Sequence, residues 1–420
     1  MTATTSKTEL AINNGPPVRS TPFPRRQLFG LEEKQAAVDL FDQALAEGDN
    51  VLGYHGNQET AYCQEFADFM GGGFAEGVNS GTNAFFVALR ALELPPFSEV
   101  IVPAISDCGG VMPVVFCNCI PVPADCAPGS YNVGPDQIAD RLTEHTSAIV
   151  IAHITGLPID MDPVMEIAAK AGVPVIEDCA QAHGAMYKGR LTGTMGDIAF
   201  FSTMHGKHHA TGGQGGVVFT KSEELYWNVR RHSDRGKPHG IESDNGNVVA
   251  GLNCNMTELD AAIGRVGLRK LSGMNTQRQD VARIIARGCH NLRSIRMHEP
   301  LSNCDGVYWF LFFEYSGDDL NIDLEEFKAA VIAEGIPVGG DYRHIPMDQT
   351  WARERRVFST SGYPWTSPDY KGNADQVYDV PNIETTVRRT FTIHIHEGWS
   401  TADAADVVTA LTKVEKAFLA

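Results

Sequence analysis

No stretch of this 420-residue chain approaches the roughly 18 consecutive apolar residues that a membrane helix needs, so no spanning segment is expected. The N-terminus, MTATTSKTELAINNGPPVRS, has no apolar core behind a basic start, so no secretory signal peptide is expected either. Basic residues are scarce: 34 Lys and Arg face 52 Asp and Glu, giving a net charge of −18. Nucleic-acid phosphates demand clustered Lys and Arg, so nucleic acid is not an expected partner. The nine cysteines are odd in number and irregularly spaced. Cys117 and Cys119 form a lone C-x-C, without the second pair of ligands that a zinc site requires. Reduced, mostly buried thiols in a cytoplasmic protein are expected. Internal repeats and low-complexity segments are absent too. What remains is an ordinary globular composition, 43% hydrophobic and 20% charged, long enough for two domains.

Residues 1–30, with Pro16, Pro17, Pro22 and Pro24, read as an extended arm. LEEKQAAVDLFDQALAEG (31–48) has helical spacing and a glycine stop. Five apolar runs follow: EVIVP (99–103), AIVIAH (148–153), VPVIED (173–178), IAFFS (198–202) and GVVFT (216–220). Each looks like a strand buried on both faces, and PVMEIAAKAG (163–172) is a helix between two of them. Such alternation predicts parallel βαβ units and a doubly wound sheet. Residues 31–270 are expected to form a large domain. A strong amphipathic helix, residues 256–271, leads into a smaller α+β domain over 271–420, with a strand in 308–315 and helices over 325–335 and 401–419.

In open parallel sheets, ligands sit where strands end and loops lead into helices. Ser80-Gly81-Thr82 precedes the helical run NAFFVALRAL, and a helix N-terminus can hold a phosphate. Alone, it reads more readily as an ordinary helix cap. Glu177-Asp178 closes the strand VPVI, where Asp178 could keep a pyridine nitrogen protonated. It could also cap a loop or bind a metal. Lys207 follows IAFFS within FSTMHGKHHATGGQGG (201–216), among His205, His208, His209 and a run of glycines. Partial burial there would lower its pKa towards a nucleophilic amine. The three histidines also allow a metal reading, which Gly206 and the lack of a nearby carboxylate disfavour. A phosphate cradle, a strand-end acid and a later lysine in Gly-rich surroundings, in that order, are what pyridoxal phosphate chemistry requires.

Around these residues the chain resembles the DegT/DnrJ/StrS family of sugar aminotransferases. The resemblance runs through SGTNAFFVAL (80–89), HITGLPIDMD (153–162), EDCAQAHGAMYKGRLTGTMGD (177–197), FSTMHGKHHATGGQGG (201–216) and GLNCNMTELDAAIG (251–264). It implies an α/β, type I pyridoxal phosphate-dependent fold, with a mostly parallel central sheet flanked by helices. The implied activity moves an amino group from L-glutamate or L-glutamine to a ketone of a sugar or cyclitol, in making an amino sugar or aminocyclitol. By that resemblance the cofactor is pyridoxal 5'-phosphate, held on Lys207, which also carries the proton. Asp178 pairs with the ring nitrogen, and Gln181 bonds the ring's phenolic oxygen. Gly81, Thr82 and Ser202 bind the phosphate. Asn253 reaches the phosphate of a neighbouring subunit, which implies a homodimer with shared sites.

This chain departs from the family pattern in places. Ile105-Ser106-Asp107 occupies the stretch where an aromatic ring usually stacks on the cofactor, Asn255 replaces an arginine, and Gln214 replaces a glutamate. GGDYRHIP (339–346) stands where a P-L-H segment is usual, which makes Tyr342 and His344 candidates for substrate contact. Two alternatives stand beside transamination. One is a dehydratase of the same fold, in which a histidine replaces the lysine and which the pair His208-His209 brings to mind. The other is a ligand sensor without catalysis. Lys207 and Asp178, both present, argue against each. The opening LAINNGPPVRSTPFP looks like relatives that aminate inosose-type cyclitols, with a nucleotide-linked keto-sugar as the competing substrate.

Overall fold

The computed structural model describes residues 7–419 apart from 245, 318, 319 and 341. Its centre is a seven-stranded sheet. In chain order the strands are β1 (Phe74–Val78), β2 (Glu99–Pro103), β3 (Ile120–Ala124), β4 (Thr146–Ala152), β5 (Val175–Asp178), β6 (Ile198–Ser202) and β7 (Gly216–Thr220). In space they lie in the order β1-β7-β6-β5-β4-β2-β3. The apolar runs form strands because helices cover both faces: Ile101, Ile149, Ile176, Ala199 and Val217 are all fully buried.

The pairs β2–β3, β2–β4, β4–β5 and β5–β6 are parallel, as the alternation of strands and helices predicts. GVVFT departs from that expectation, because β7 runs antiparallel to both β6 and β1. A parallel return needs a crossover, usually a helix, and residues 203–215 contain none. They fold back on themselves instead. Thr203 N–H donates to the Gly215 carbonyl at 2.9 Å, and His205 N–H to the Gly213 carbonyl at 3.0 Å. The loop holding Lys207 is therefore the closed end of an antiparallel pair.

Helix Glu258–Cys289 runs unbroken across residue 270, so the chain leaves the large sheet within a helix and not at a linker. Beyond it, strands Ile295–Met297, Leu311–Tyr315, Val338–Gly339 and Thr390–Ile393 form a four-stranded antiparallel sheet. Helices Leu324–Ala333 and Thr401–Phe418 cover it around Phe313, Phe327, Phe391 and Leu411. The N-terminal arm joins this second core, although its sequence reads as merely extended. Leu10 is fully buried in it, Arg19 pairs with Asp403 at 2.7 Å and Asp406 at 2.8 Å, and Phe23 lies 4.3 Å from the Trp399 ring. These partners are some 370 or more residues away in sequence, beyond the reach of any local pattern. Among the described residues, no helix is long and apolar enough to cross a membrane.

Candidate active site

The carboxyl ends of β5 and β6 open into a cavity of about 210 Å3. Gly81, Thr82, Asp178, Ser202, Lys207, Tyr342 and His344 all line it, so residues as far apart in sequence as Gly81 and His344 converge. Ser80 caps the helix Gly81–Ala91 by accepting the Asn83 N–H at 3.1 Å, and the first residues of that helix, Gly81 and Thr82, line the cavity. A Cβ on Gly81 would stand only 2.6 Å from that of Ser202, so glycine is what lets the two phosphate-side elements meet.

Successive strand residues point to opposite faces, and this separates Glu177 from Asp178. Glu177 turns away and is fully buried. It accepts N–H groups from Gly193 at 2.7 Å, Met195 at 2.8 Å and Gly196 at 2.6 Å, and its other contact is His153 at 3.1 Å. Burial would push its carboxyl up, but the His153 and backbone bonds together hold it below the ordinary value. Asp178 faces the cavity. Its Oδ1 accepts the Ala180 N–H at 2.9 Å, and its Oδ2 lies 3.0 Å from where a Cβ on Gly110 would stand. Burial raises this carboxyl from 3.8 to about 6, only partly offset by the Ala180 N–H and Lys207.

Lys207 leaves a tight turn in which its N–H donates to the Met204 carbonyl at 2.9 Å. Its Nζ sits over the Trp309 ring, 4.2 Å from the centroid. Burial lowers its pKa, and the negative charges of Asp178 and Asp107 oppose that shift. The flanking histidines do not form one ligand set. His205 is exposed, His208 Nε2 meets the Val307 carbonyl at 3.1 Å, and His209 Nε2 meets the Tyr62 hydroxyl at 2.8 Å.

Gln181 and Asn253 do not line this cavity. Gln181 is buried beside the cavity, where its Oε1 accepts the Thr155 N–H at 2.8 Å and its Nε2 donates to the Tyr342 hydroxyl at 2.9 Å. In this arrangement it orients Tyr342. Asn253 is exposed and away from the cavity, with its side-chain oxygen accepting from the Asn255 amide group at 2.8 Å. Asn255 also donates to Asp234 at 3.0 Å.

The sequence left several lining residues unassigned: Asp107, Gly109, Gly110, Gln214 and Trp309. Asp107 Oδ1 accepts the Gly109 N–H at 2.8 Å, so an acid and two glycines stand where the family pattern usually has an aromatic ring. The rings that do line the cavity are Phe200, Trp309 and Tyr342. The departures at Ile105-Ser106-Asp107 and at Gln214 signalled this region in advance. Segment 342–346 docks on it through the Ser106 N–H, which donates to the His344 carbonyl at 2.9 Å.

These groups suit pyridoxal phosphate. A strand-end carboxyl presents an oxygen in a cradle that any side chain at Gly110 would fill. A buried lysine lies across the cavity, and a helix N-terminus stands at its edge.

Comparison with known proteins agrees with this chemistry. A profile of the DegT/DnrJ/EryC1/StrS aminotransferase family matches residues 33–412. The L-glutamine:2-deoxy-scyllo-inosose aminotransferase of Streptomyces fradiae is 29% identical over 422 aligned residues, covering 96% of this chain and 97% of that protein. The UDP-N-acetyl-3-dehydro-alpha-D-glucosamine 3-aminotransferase of Acidithiobacillus ferrooxidans is 34% identical, over 80% of this chain and 89% of its own. Among solved structures, an aminotransferase from Psychrobacter cryohalolentis superposes with a TM-score of 0.77 at 26% identity, covering 93% of this chain and 97% of that one.

Proposed function

The chain belongs to the DegT/DnrJ/EryC1/StrS aminotransferase family, and from that membership we infer that it uses pyridoxal phosphate on Lys207 to aminate a cyclitol ketone. The Streptomyces fradiae and Acidithiobacillus ferrooxidans relatives are named as aminotransferases of a cyclitol and of a nucleotide-linked sugar. The single observation that carries the assignment to this cavity is the pairing of buried Lys207 with buried Asp178 across it. When bound, pyridoxal phosphate supplies an electron-poor ring that takes up the electron pair released at the amine-bearing carbon.

The protein's own groups supply the rest. The Gly81–Thr82 turn and Ser202 hold the phosphate with N–H and hydroxyl donors at the positive end of a helix. Asp178, reluctant to ionise when alone, would face the cofactor's ring nitrogen and, as a carboxylate, favour a proton there. Lys207 Nζ, its pKa lowered by burial, takes a proton from the donor's carbon and later delivers one to the acceptor's. The Trp309 ring holds Nζ on that side of the cavity. Tyr342, tied back by Gln181, and His344 close the acceptor's side.

A cyclitol acceptor is favoured over a nucleotide-linked sugar by the cavity's charge. Among its described lining residues, the basic side chains are Lys207 and His344, with no arginine to hold a diphosphate. The inosose aminotransferase relatives, matched over nearly their whole length, support the same choice and point to L-glutamine as donor. The remaining parts of this proposal are a homodimer, with Asn253 reaching the neighbour's site, and a cytoplasmic enzyme.

The wild-type protein loaded with pyridoxal phosphate should show a visible absorbance band that borohydride removes and that Lys207→Ala lacks. A wild type without that band would overturn the cofactor assignment. With the cofactor in its amino form, an inosose should restore the band. Restoration by nucleotide-linked keto-sugars alone would overturn the cyclitol assignment.

A further inference from the structure

The two carbonyls that bracket the reactive lysine, those of Gly206 and Lys207, are both gripped by one side chain from the N-terminal arm. Arg26 Nη1 donates to the Gly206 carbonyl and Nη2 to the Lys207 carbonyl, each at 2.7 Å, while its Nε donates to Glu397 Oε1 at 2.9 Å. One planar guanidinium thus spans three acceptors at once, which an ammonium cannot do in the same fixed geometry. The Gly206 carbonyl also receives the Trp309 indole N–H at 3.3 Å, from the ring that Lys207 Nζ lies over.

The far side of the clamp is anchored in the second domain. Glu397 Oε2 accepts from Arg278 Nη2 at 2.8 Å and Nε at 3.1 Å. Arg278 is almost fully buried on the helix that joins the two domains, and its Nη1 donates to the carbonyls of Tyr308 at 2.9 Å and Ile395 at 3.0 Å. The arm itself is held next to the clamp, where the His396 ring donates to the Pro24 carbonyl at 2.9 Å.

We propose that Arg26 is the positioning residue for Lys207. By fixing the peptide planes on both sides of the lysine it sets the direction in which the side chain enters the cavity. Through Glu397 and Arg278 it ties that direction to the seating of the small domain. The proposal rests on Lys207 being the lysine that holds the cofactor. Arg26 touches neither substrate nor cofactor, so it acts only through the lysine it holds.

The test uses the full-length protein loaded with pyridoxal phosphate, comparing wild type with Arg26→Ala, Arg26→Lys, Glu397→Gln and the double variant Arg26→Ala/Glu397→Gln. Three quantities are read: the pH midpoint of the visible band, the rate of the half-reaction with the amino donor, and the acceptor KM. Thermal melting reports the fold. Arg26→Ala is expected to move the midpoint by about half a pH unit or more, through the altered surroundings of the amine. It should slow the half-reaction about tenfold, as a small misplacement of a reacting group does, with acceptor KM nearly unchanged. Arg26→Lys, able to reach only one carbonyl, should fall between. Glu397→Gln should have a smaller effect, and the double variant should be no worse than Arg26→Ala, because the two residues act in series.

If Arg26→Ala does not fold, Arg26→Lys and Glu397→Gln carry the test, with Arg26→Lys expected to shift the midpoint and slow the half-reaction. A band midpoint and half-reaction rate matching wild type in the folded Arg26 variants would overturn the proposal. So would fully additive losses in the double variant. Failure of the underlying assignment would look different, because wild type itself would then show no band.

Discussion

Replacing Asp178 by asparagine should stabilise the empty protein while harming cofactor binding. In the folded, cofactor-free chain, burial raises the Asp178 carboxyl from 3.8 to about 6. The folded state therefore holds this proton more tightly than the unfolded chain does. Stability is lost as pH rises from about 4 to about 6, and the loss stays constant above that. Two pKa units at about 1.4 kcal/mol each give roughly 3 kcal/mol of destabilisation from the ionised carboxylate near neutral pH. Asparagine has nearly the same shape, and its Oδ1 can still accept the Ala180 N–H. The cofactor-free Asp178→Asn protein should therefore exceed wild type by up to about 3 kcal/mol near pH 7.5, and by almost nothing near pH 4. Denaturant unfolding of stripped protein across that range measures the difference, and equilibrium dialysis of pyridoxal phosphate should show weaker binding to the variant. The reasoning fails if the stability gain is as large near pH 4 as near pH 7.5, or if it is missing at both.

Asp107→Asn removes one of the two negative charges that hold the Lys207 pKa up, so the amine should become neutral at lower pH. The acid limb of the rate at which the empty protein takes up pyridoxal phosphate should move down in pH, and an upward move would contradict the assigned sign. Gly110→Ala would put a Cβ 2.9 Å from Ser106 Oγ and 3.0 Å from Asp178 Oδ2. Overpacking of that kind costs about 1–3 kcal/mol, so cofactor affinity should fall roughly tenfold or more by dialysis. Glu177→Gln leaves at least one of the N–H groups of Gly193, Met195 and Gly196 without its acceptor. Unfolding should cost about 2–4 kcal/mol less than in wild type, a loss that an unchanged denaturation midpoint would disprove.

The sequence revealed those parts of the site that are local in chain order. A helix start at Gly81, a strand end at Asp178 and a lysine beside glycines each leave a pattern within a few residues. Five of the seven central strands were legible for the same reason, since burial on both faces writes a continuous apolar run; β1 (FAEGV) and β3 (IPVPA) were not, because glutamate, glycine or proline interrupts theirs. The direction of Gly216–Thr220 was not, because an apolar run carries no information about whether its neighbour is parallel. Only the missing helix in 203–215 hints at the reversal. Trp309 and Arg26 left no signal, because each acquires its role from the distance between chain segments. Trp309 sits in a run that reads simply as strand, and Arg26 in a stretch that reads as proline-rich arm. Gln181 was singled out by its motif, but its partners here, Thr155 and Tyr342, lie 26 and 161 residues away and could not be read from it.

The arm's attachments also decide when the site can be finished. During synthesis residues 10–26 emerge more than 370 residues before their partners Glu397, Asp403 and Asp406. The large sheet and the Lys207 loop can assemble while the arm still hangs loose, and the loop closure that brings Arg26 home spans nearly the whole chain. Chains that stop short of Glu397 therefore carry Lys207 without the acceptor that holds Arg26 against it.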